Sequence, residues 1–461
     1  MNPLLYLIPT SFEETSIVWK ILRELKLYIV PYPSVLIPIL LNQSFPGFHQ
    51  ESWKIWLRYA LPSFVIFTAL WLIFSPYILG DFDVAYYPAG RLVLENPSNL
   101  YNWKAYGQAT INVIGFVNIP IVALLFTLIA WLPLPLAQYI FTFLGVLSTI
   151  AAYKFLEVKV GKSSQSKINL IFLFALSGPL FYSIRHGNTT HFLLLLFLLA
   201  WQCLQTRKDA LGGAILAVIG IIKPPFLILS FFGLLKGRWR VFWGSCSTIL
   251  AIALSSLLIF GIDLHKNWYY TCIEPFSGKP IAAFNNQSLD GFLSRFLLGG
   301  DLLSWQPLTV DLEYRLVRLF FLAIMVGLVI WVCGFLSFKK ALKPDLTTNL
   351  DLSILICLGL LISPISWYHY YLFLLLPFAL LLEGEMGIPT SRSQLYLACL
   401  SILLVAPPPV WVLQGNSHLI TLIYKALYSY CFFGGMILFI LLLFGYFQRL
   451  TSARKYLNTY K

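Results

Sequence analysis

Runs of 18 or more residues with almost no charge recur along this 461-residue chain. At a rise of about 1.5 Å per residue, each is long enough to cross a hydrocarbon core roughly 30 Å thick. In lipid, backbone polar groups must be satisfied within the protein, so such runs fold as helices. Composition agrees, with 59% hydrophobic and 11% charged residues. The sequence predicts an all-α polytopic membrane protein with about 12 transmembrane helices, in the range of roughly 10–13, and two larger non-cytoplasmic loops.

The net charge of +13 first suggests a nucleic-acid partner. The basic residues, however, lie in short loops between apolar runs. That is the positive-inside pattern of a membrane protein, and nucleic acid is excluded as the partner. The seven cysteines are scattered without a CxxC pair, so neither a disulfide framework nor a zinc site is expected.

Residues 1–56 read as a cytoplasmic or interfacial extension, rich in charge and then in proline. A transmembrane domain follows over 57–449, and 450–461 form a cytoplasmic tail. The first span is expected at 57–79. A first external loop covers 80–135, with the apolar stretch 118–132 dipping into the membrane without crossing. Further spans are expected at about 136–156, 168–184 and 189–204, at 241–262, and at 314–338, 351–366, 368–382, 395–413 and 420–448. Between 211 and 235 the apolar run is interrupted by Lys223-Pro224-Pro225, where the prolines break the helix and leave a lysine at the break. A second external loop covers 263–314. The excess of Lys and Arg places both termini in the cytoplasm, and the other polar clusters then share one non-cytoplasmic face.

Those clusters carry the chemistry. Gly80-Asp81-Phe82-Asp83 places two acids at a membrane boundary, where they are costly without a task. They suit a general base, a cation site or a hydrated loop. Tyr86 and Tyr87 follow, fit for a sugar face or for an interfacial aromatic belt. Lys223 requires a partner, either an anionic phosphate or a protein carboxylate, unless it snorkels to the interface. His186 and Asn188 occupy a tight turn, where a structural hydrogen-bonding role competes with ligand contact. Asn286 and Gln287 can bind sugar hydroxyls, and Arg295 can grip phosphate, although the same stretch also reads as a capped loop-to-helix segment. Trp367 and His369 lie in a further link between spans, and aromatic composition does not explain the histidine. No Walker loop, GxGxxG, HExxH or GxSxG occurs, so a transferase of this kind would draw its donor from a lipid carrier.

Taken in order, Gly80-Asp81-Phe82 with Tyr86-Tyr87 and Ala89-Gly90, a Gly-Asn turn, Lys223-Pro224, Asn286-Gln287-Ser288 with Arg295, and Ser363-Pro364 with Trp367 and His369 resemble glycosyltransferase family 87. That family sits within the GT-C superfamily of polyprenyl-phosphate-sugar-dependent enzymes. The resemblance covers roughly 57–382. It departs from the usual pattern at His186-Gly187-Asn188, where Gly-Gln is more common. It implies transfer of a sugar, often mannose, from a polyprenyl phosphate in the bilayer to a glycolipid or glycan hydroxyl on the non-cytoplasmic face, with inversion. By the same similarity Asp81 is the base and Asp83 assists it or binds acceptor. Lys223 and Arg295 face the donor phosphate, with His369, Tyr86, Tyr87, Asn286, Gln287, His186, Asn188 and Trp367 around the substrates. No metal or other cofactor is expected, and the implied location is a bacterial plasma membrane. The main rival is a secondary transporter or flippase, which would also explain a charged residue in a broken helix. A glycan polymerase or ligase is a weaker one, since its usual arginine-rich loop is missing from 263–314.

Overall fold

A computed structural model describes residues 79–102, 115–336, 344–388, 391–407 and 418–459. The expected N-terminal extension and nearly all of the first span lie outside them. Among the described residues the chain is helical, and its only bridge between extended segments is the single pair Asn286 and Trp367.

The described chain begins with a π-helical turn, Phe82–Tyr86, that runs into α1 (Tyr87–Glu95). After a 3-10 turn at Pro120–Ala123 comes the short α2 (Leu124–Ala130), then α3 (Leu134–Val160). Helices α4 (Ser164–Ala175) and α5 (Gly178–Arg185) are bent by 46° at Ser177-Gly178. Next are α6 (Thr190–Gln205) and α7 (Asp209–Ile222). Proline at 224 and 225 deprives the next turn of amide donors. The chain there continues as a 3-10 helix, Pro224–Phe231, with Lys223 at the break the sequence predicts. Helix α8 (Trp239–Trp268) runs past the expected span end at 262, with a kink at Gly261. The remaining helices used below are α9 (Leu289–Leu297), α10 (Leu312–Val329), α11 (Pro344–Ile362), α12 (Leu375–Leu382), α13 (Arg392–Val405) and α14 (Tyr430–Thr459).

Among the described residues four helices are long and apolar enough to cross a membrane by length and composition, or five if the bent pair α4–α5 counts as one span. The expectation of about 12 such helices is not met among the described residues. The reason is visible in the packing. Helices such as α6 and α7 end after 14–16 residues, roughly 21–24 Å, because glycine, proline and polar turns stop them.

Burial divides the helices into two sets. Helices α3, α8 and α10 present apolar side chains outward, including Leu258 at 86% and Trp243 at 63% exposure on α8. In water such surfaces would be a liability, whereas lipid tails match them. In contrast, α11 and the segment from Tyr368 to Leu382 are almost wholly buried and form the centre of the core. The chain is an all-helical integral membrane protein. Helices α7 and α8 approach closely through glycine. A Cβ on Gly213 would stand 2.0 Å from the Val241 carbonyl oxygen, and one on Gly244 2.3 Å from that of Ala210, the small-residue contact typical of membrane helix pairs.

Candidate active site

The turn between α5 and α6 builds the site. His186 caps the helix that starts at Gly80. Its carbonyl oxygen accepts the amide of Asp81 at 2.8 Å and that of Phe82 at 3.3 Å. Two residues later, Asn188 donates from Nδ2 to Asp81 Oδ2 at 2.5 Å. Gly187 lies between them at φ +61°, and a Cβ there would meet the Phe82 Cβ at 2.5 Å. Only glycine allows this turn to lie against the helix start. His186-Gly187-Asn188 therefore grips Asp81 by backbone and side chain together.

Asp81 is half-exposed, while Asn188, Tyr86, Lys223 and His369 are buried around it. Tyr86 stacks on Phe126 of α2 at 4.7 Å. Its hydroxyl oxygen accepts from Lys223 Nζ at 3.3 Å and from Asn188 Nδ2 at 3.5 Å. The Lys223 ammonium also lies 5.3 Å from the Tyr370 ring centroid and 6.0 Å from that of Tyr86, within reach of cation–π attraction. No described carboxylate lies within ion-pair distance of it, in contrast with the partly buried Lys236, which pairs with the buried Asp351 at 2.6 Å. Asp81 is the acid whose field reaches Lys223, Tyr182, Tyr370 and His186.

His369 is 5% exposed, and neither ring nitrogen has a hydrogen-bond partner among the described residues. Buried polar atoms are ordinarily paired, so this ring is an open contact point. It lies between the rings of Tyr182, at 6.2 Å and nearly parallel, and Tyr370, at 4.8 Å. Tyr182 in turn packs 4.0 Å from His186. Burial pushes the His186 imidazole below its ordinary value, Asp81 opposes this and Arg185 adds to it, so His186 is neutral at pH 7.

Asp83 stands apart from this cluster. Both its carboxylate oxygens accept from Gln138 Nε2 of α3 at 2.9 Å. Burial raises its carboxyl above the ordinary value against the opposing bonds from Gln138 and the backbone. Tyr87 is also turned elsewhere, its hydroxyl donating to the Leu132 carbonyl at 2.7 Å.

The second loop makes a different construction. Asn286 donates to the carbonyls of Ile281 and Pro364, and its Oδ1 accepts from the Ser366 amide at 2.9 Å. Gln287 donates to the carbonyls of Phe284 and Tyr428 and accepts from the Phe432 amide. Arg295 is fully buried. Its guanidinium donates to the carbonyls of Ala282, Ala283 and Asn286 and to Ser429 Oγ. Trp367, half-buried, precedes the 3-10 turn that bears His369 and pairs by backbone with Asn286. These residues lock the loop to α14 and to the turn after α11.

The structure thus brings together Asp81, Tyr86, His186, Asn188, Lys223 and His369. It sets Asp83, Tyr87, Asn286, Gln287, Arg295 and Trp367 to other partners. Reading the sequence missed Tyr182, Tyr370, Gln138 and Asn118, whose Nδ2 donates to the Ile222 carbonyl at 2.7 Å beside Lys223. Gln138 carried a signal, being a polar residue inside an apolar run. The tyrosines carried none beyond aromatic composition. Among the described residues no cluster of three metal-ligating side chains occurs.

A helical membrane protein with a carboxylate, a buried ammonium and an open imidazole in one cluster has the makings of a membrane-embedded transferase. The chain belongs to glycosyltransferase family 87, whose model matches residues 116–364, and it is a membrane glycosyltransferase. It is 23% identical over 351 residues to a polyprenol-phosphate-mannose-dependent alpha-(1-2)-phosphatidylinositol pentamannoside mannosyltransferase of Mycolicibacterium smegmatis, covering 75% of this chain and 79% of the relative. The protein of the same description from Mycobacterium tuberculosis is 23% identical over 320 residues, 68% of this chain and 69% of the relative. An alpha-(1->3)-arabinofuranosyltransferase of Corynebacterium glutamicum is 27% identical over 164 residues, 35% of this chain and 38% of the relative. No solved structure matches the chain.

Proposed function

We propose that the protein moves a sugar, mannose by analogy with its relatives, from a polyprenyl phosphate to a glycolipid or glycan hydroxyl. Asp81 Oδ takes the proton of the acceptor hydroxyl. The acceptor oxygen attacks the anomeric carbon from the side opposite the phosphate, and the bond from that carbon to the phosphate oxygen breaks. The configuration inverts, and polyprenyl phosphate leaves. Charge develops on the leaving phosphate, and Lys223 is placed to meet it. His369 contacts substrate through its unpartnered ring, and His186 lends its carbonyl to hold Asp81.

The observation that carries this reading is Lys223, a buried ammonium that among the described residues has no carboxylate in ion-pair range and donates a hydrogen bond to the Tyr86 hydroxyl alone. A buried charge calls for a counterion, and a lipid-linked phosphate supplies one at membrane depth. Arg295 leaves the phosphate-binding set in this reading, because protein oxygens already hold its guanidinium.

The same reading gives the chain about a dozen crossings, with short helices such as α6, α7 and α13 completing the set inside the bundle. Loops 80–135 and 263–314 then lie on the non-cytoplasmic face of a bacterial plasma membrane. The test is transfer of radiolabelled mannose from polyprenyl-phosphate-mannose to a glycolipid extract by the purified protein in nanodiscs. Wild type should transfer the label and Asp81→Asn should not. Full transfer by that variant would overturn the assignment of the base.

A further inference from the structure

We propose that Tyr86 and Asn188 form a hydrogen-bonded bridge that couples occupancy of the anion site at Lys223 to the orientation of the Asp81 carboxylate. The proposal rests on the reading of Lys223 and Asp81 above and gives two residues of that site a role other than substrate contact.

The bridge is continuous from Lys223 Nζ to the Tyr86 oxygen, to Asn188 Nδ2, and to Asp81 Oδ2, at 3.3, 3.5 and 2.5 Å. The Asn188 amide cannot turn over. Its Oδ1 accepts from the Thr190 amide at 3.1 Å and from Thr190 Oγ1 at 2.7 Å, so both Nδ2 hydrogens must point toward Tyr86 and Asp81. The amide is also buried, at 3% exposure. The Tyr86 oxygen is the loose joint, since it is shared between two donors and both contacts are long.

An anion at Lys223 competes with that oxygen for the ammonium. Once Lys223 turns to the anion, Asn188 is left as the donor to Tyr86 and can shorten its 3.5 Å contact. Its hold on Asp81 Oδ2 then loosens, and the carboxylate oxygen is exposed to the acceptor hydroxyl. The base is held while the donor site is empty and released when it is filled. Coupling of this kind is reciprocal, so acceptor binding must tighten anion binding by the same factor.

Tyr86→Phe keeps the ring stacked on Phe126 and removes only the joint. Farnesyl phosphate serves as the anion probe and octyl mannoside as the acceptor probe, with the full-length protein in nanodiscs. In wild type each probe should tighten the other's binding in calorimetry. In Tyr86→Phe that mutual effect should vanish and farnesyl phosphate alone should bind no more weakly. Saturating turnover should fall on the order of 10–100-fold through a misplaced base. Asn188→Ala should likewise lose the coupling. Weaker farnesyl phosphate binding in Tyr86→Phe with unchanged saturating turnover would make Tyr86 a donor contact and overturn the bridge. So would persistence of the mutual effect in both variants. If wild type binds farnesyl phosphate without any coupling, the bridge falls and the functional reading stands; if wild type fails to bind it, both fall.

Discussion

Asp81 and Asp83 lie two residues apart on one helix and serve different neighbours. Asp81 Oδ2 accepts from Asn188 at the turn before α6, while Asp83 accepts from Gln138 on α3. Residues at that spacing point to opposite sides of a helix. The two carboxylates are therefore held by different elements of the fold. Only Asp81 shares the cluster with Lys223 and His369.

This separation gives the first prediction. Asp81→Asn should lower kcat by about 100-fold or more, the scale of lost general-base catalysis. Asp83→Asn preserves an acceptor for Gln138 and should leave kcat within a few-fold of wild type. Transfer assays on both variants, normalised to folded protein, decide it. Equal losses would return Asp83 to the catalytic group.

Lys223 gives the second. Replacing it by methionine keeps most of the stem volume and removes the ammonium. Farnesyl phosphate affinity should weaken by about 2–5 kcal/mol, the usual result of deleting one partner of a buried charge pair. The ligand-free protein should melt at the same temperature or higher, because a buried charge without a carboxylate is costly to hold. A large fall in melting temperature with unchanged anion binding would make Lys223 a structural residue.

The break at Lys223 could be read directly, since two prolines after an apolar run leave no other local solution. So could Asp81, because acids at a membrane boundary are rare and need a reason. The fate of Arg295 could not. Whether a guanidinium reaches a ligand or a ring of carbonyls depends on the path of residues 282–286, which no local pattern encodes. Which apolar runs face lipid and which face protein was hidden for a related reason. Hydropathy marks α11 and the segment before α12 as strongly as lipid-facing spans, yet their apolar residues face protein, so their lengths do not have to match a bilayer. Gln138 and Asn118 are single polar residues whose partners lie 55 and 104 residues away.

Asp83 also predicts a pH dependence. Burial raises its carboxyl above the ordinary value of 3.8, so the folded state binds that proton more tightly than the unfolded chain. Its contribution to stability is fully present below the unfolded value and is lost as pH rises through the folded one. Asp83→Asn, uncharged throughout, lacks this loss. The melting temperature of the variant relative to wild type should therefore rise from pH 4 toward neutrality. A difference that stays flat or falls over that window would show that Gln138 stabilises the ionised carboxylate more than burial opposes it.

Arg295 supplies the last test. Its guanidinium holds the carbonyls of Ala282, Ala283 and Asn286 together with Ser429, and so joins the loop before α9 to the start of α14. Arg295→Met strands those buried acceptors and should cost about 3–5 kcal/mol of stability, the scale seen when one member of a buried charged network is removed. Arg295→Lys keeps the charge but cannot span the same fork of acceptors, and it should fall between. In both variants the donor KM of the protein that remains folded should match wild type, because the guanidinium is fully buried among protein oxygens. A raised donor KM at an unchanged melting temperature would place the guanidinium on the substrate after all. Melting curves paired with donor titration in the same nanodiscs separate the two outcomes, since a latch moves the first measurement and a phosphate ligand moves the second.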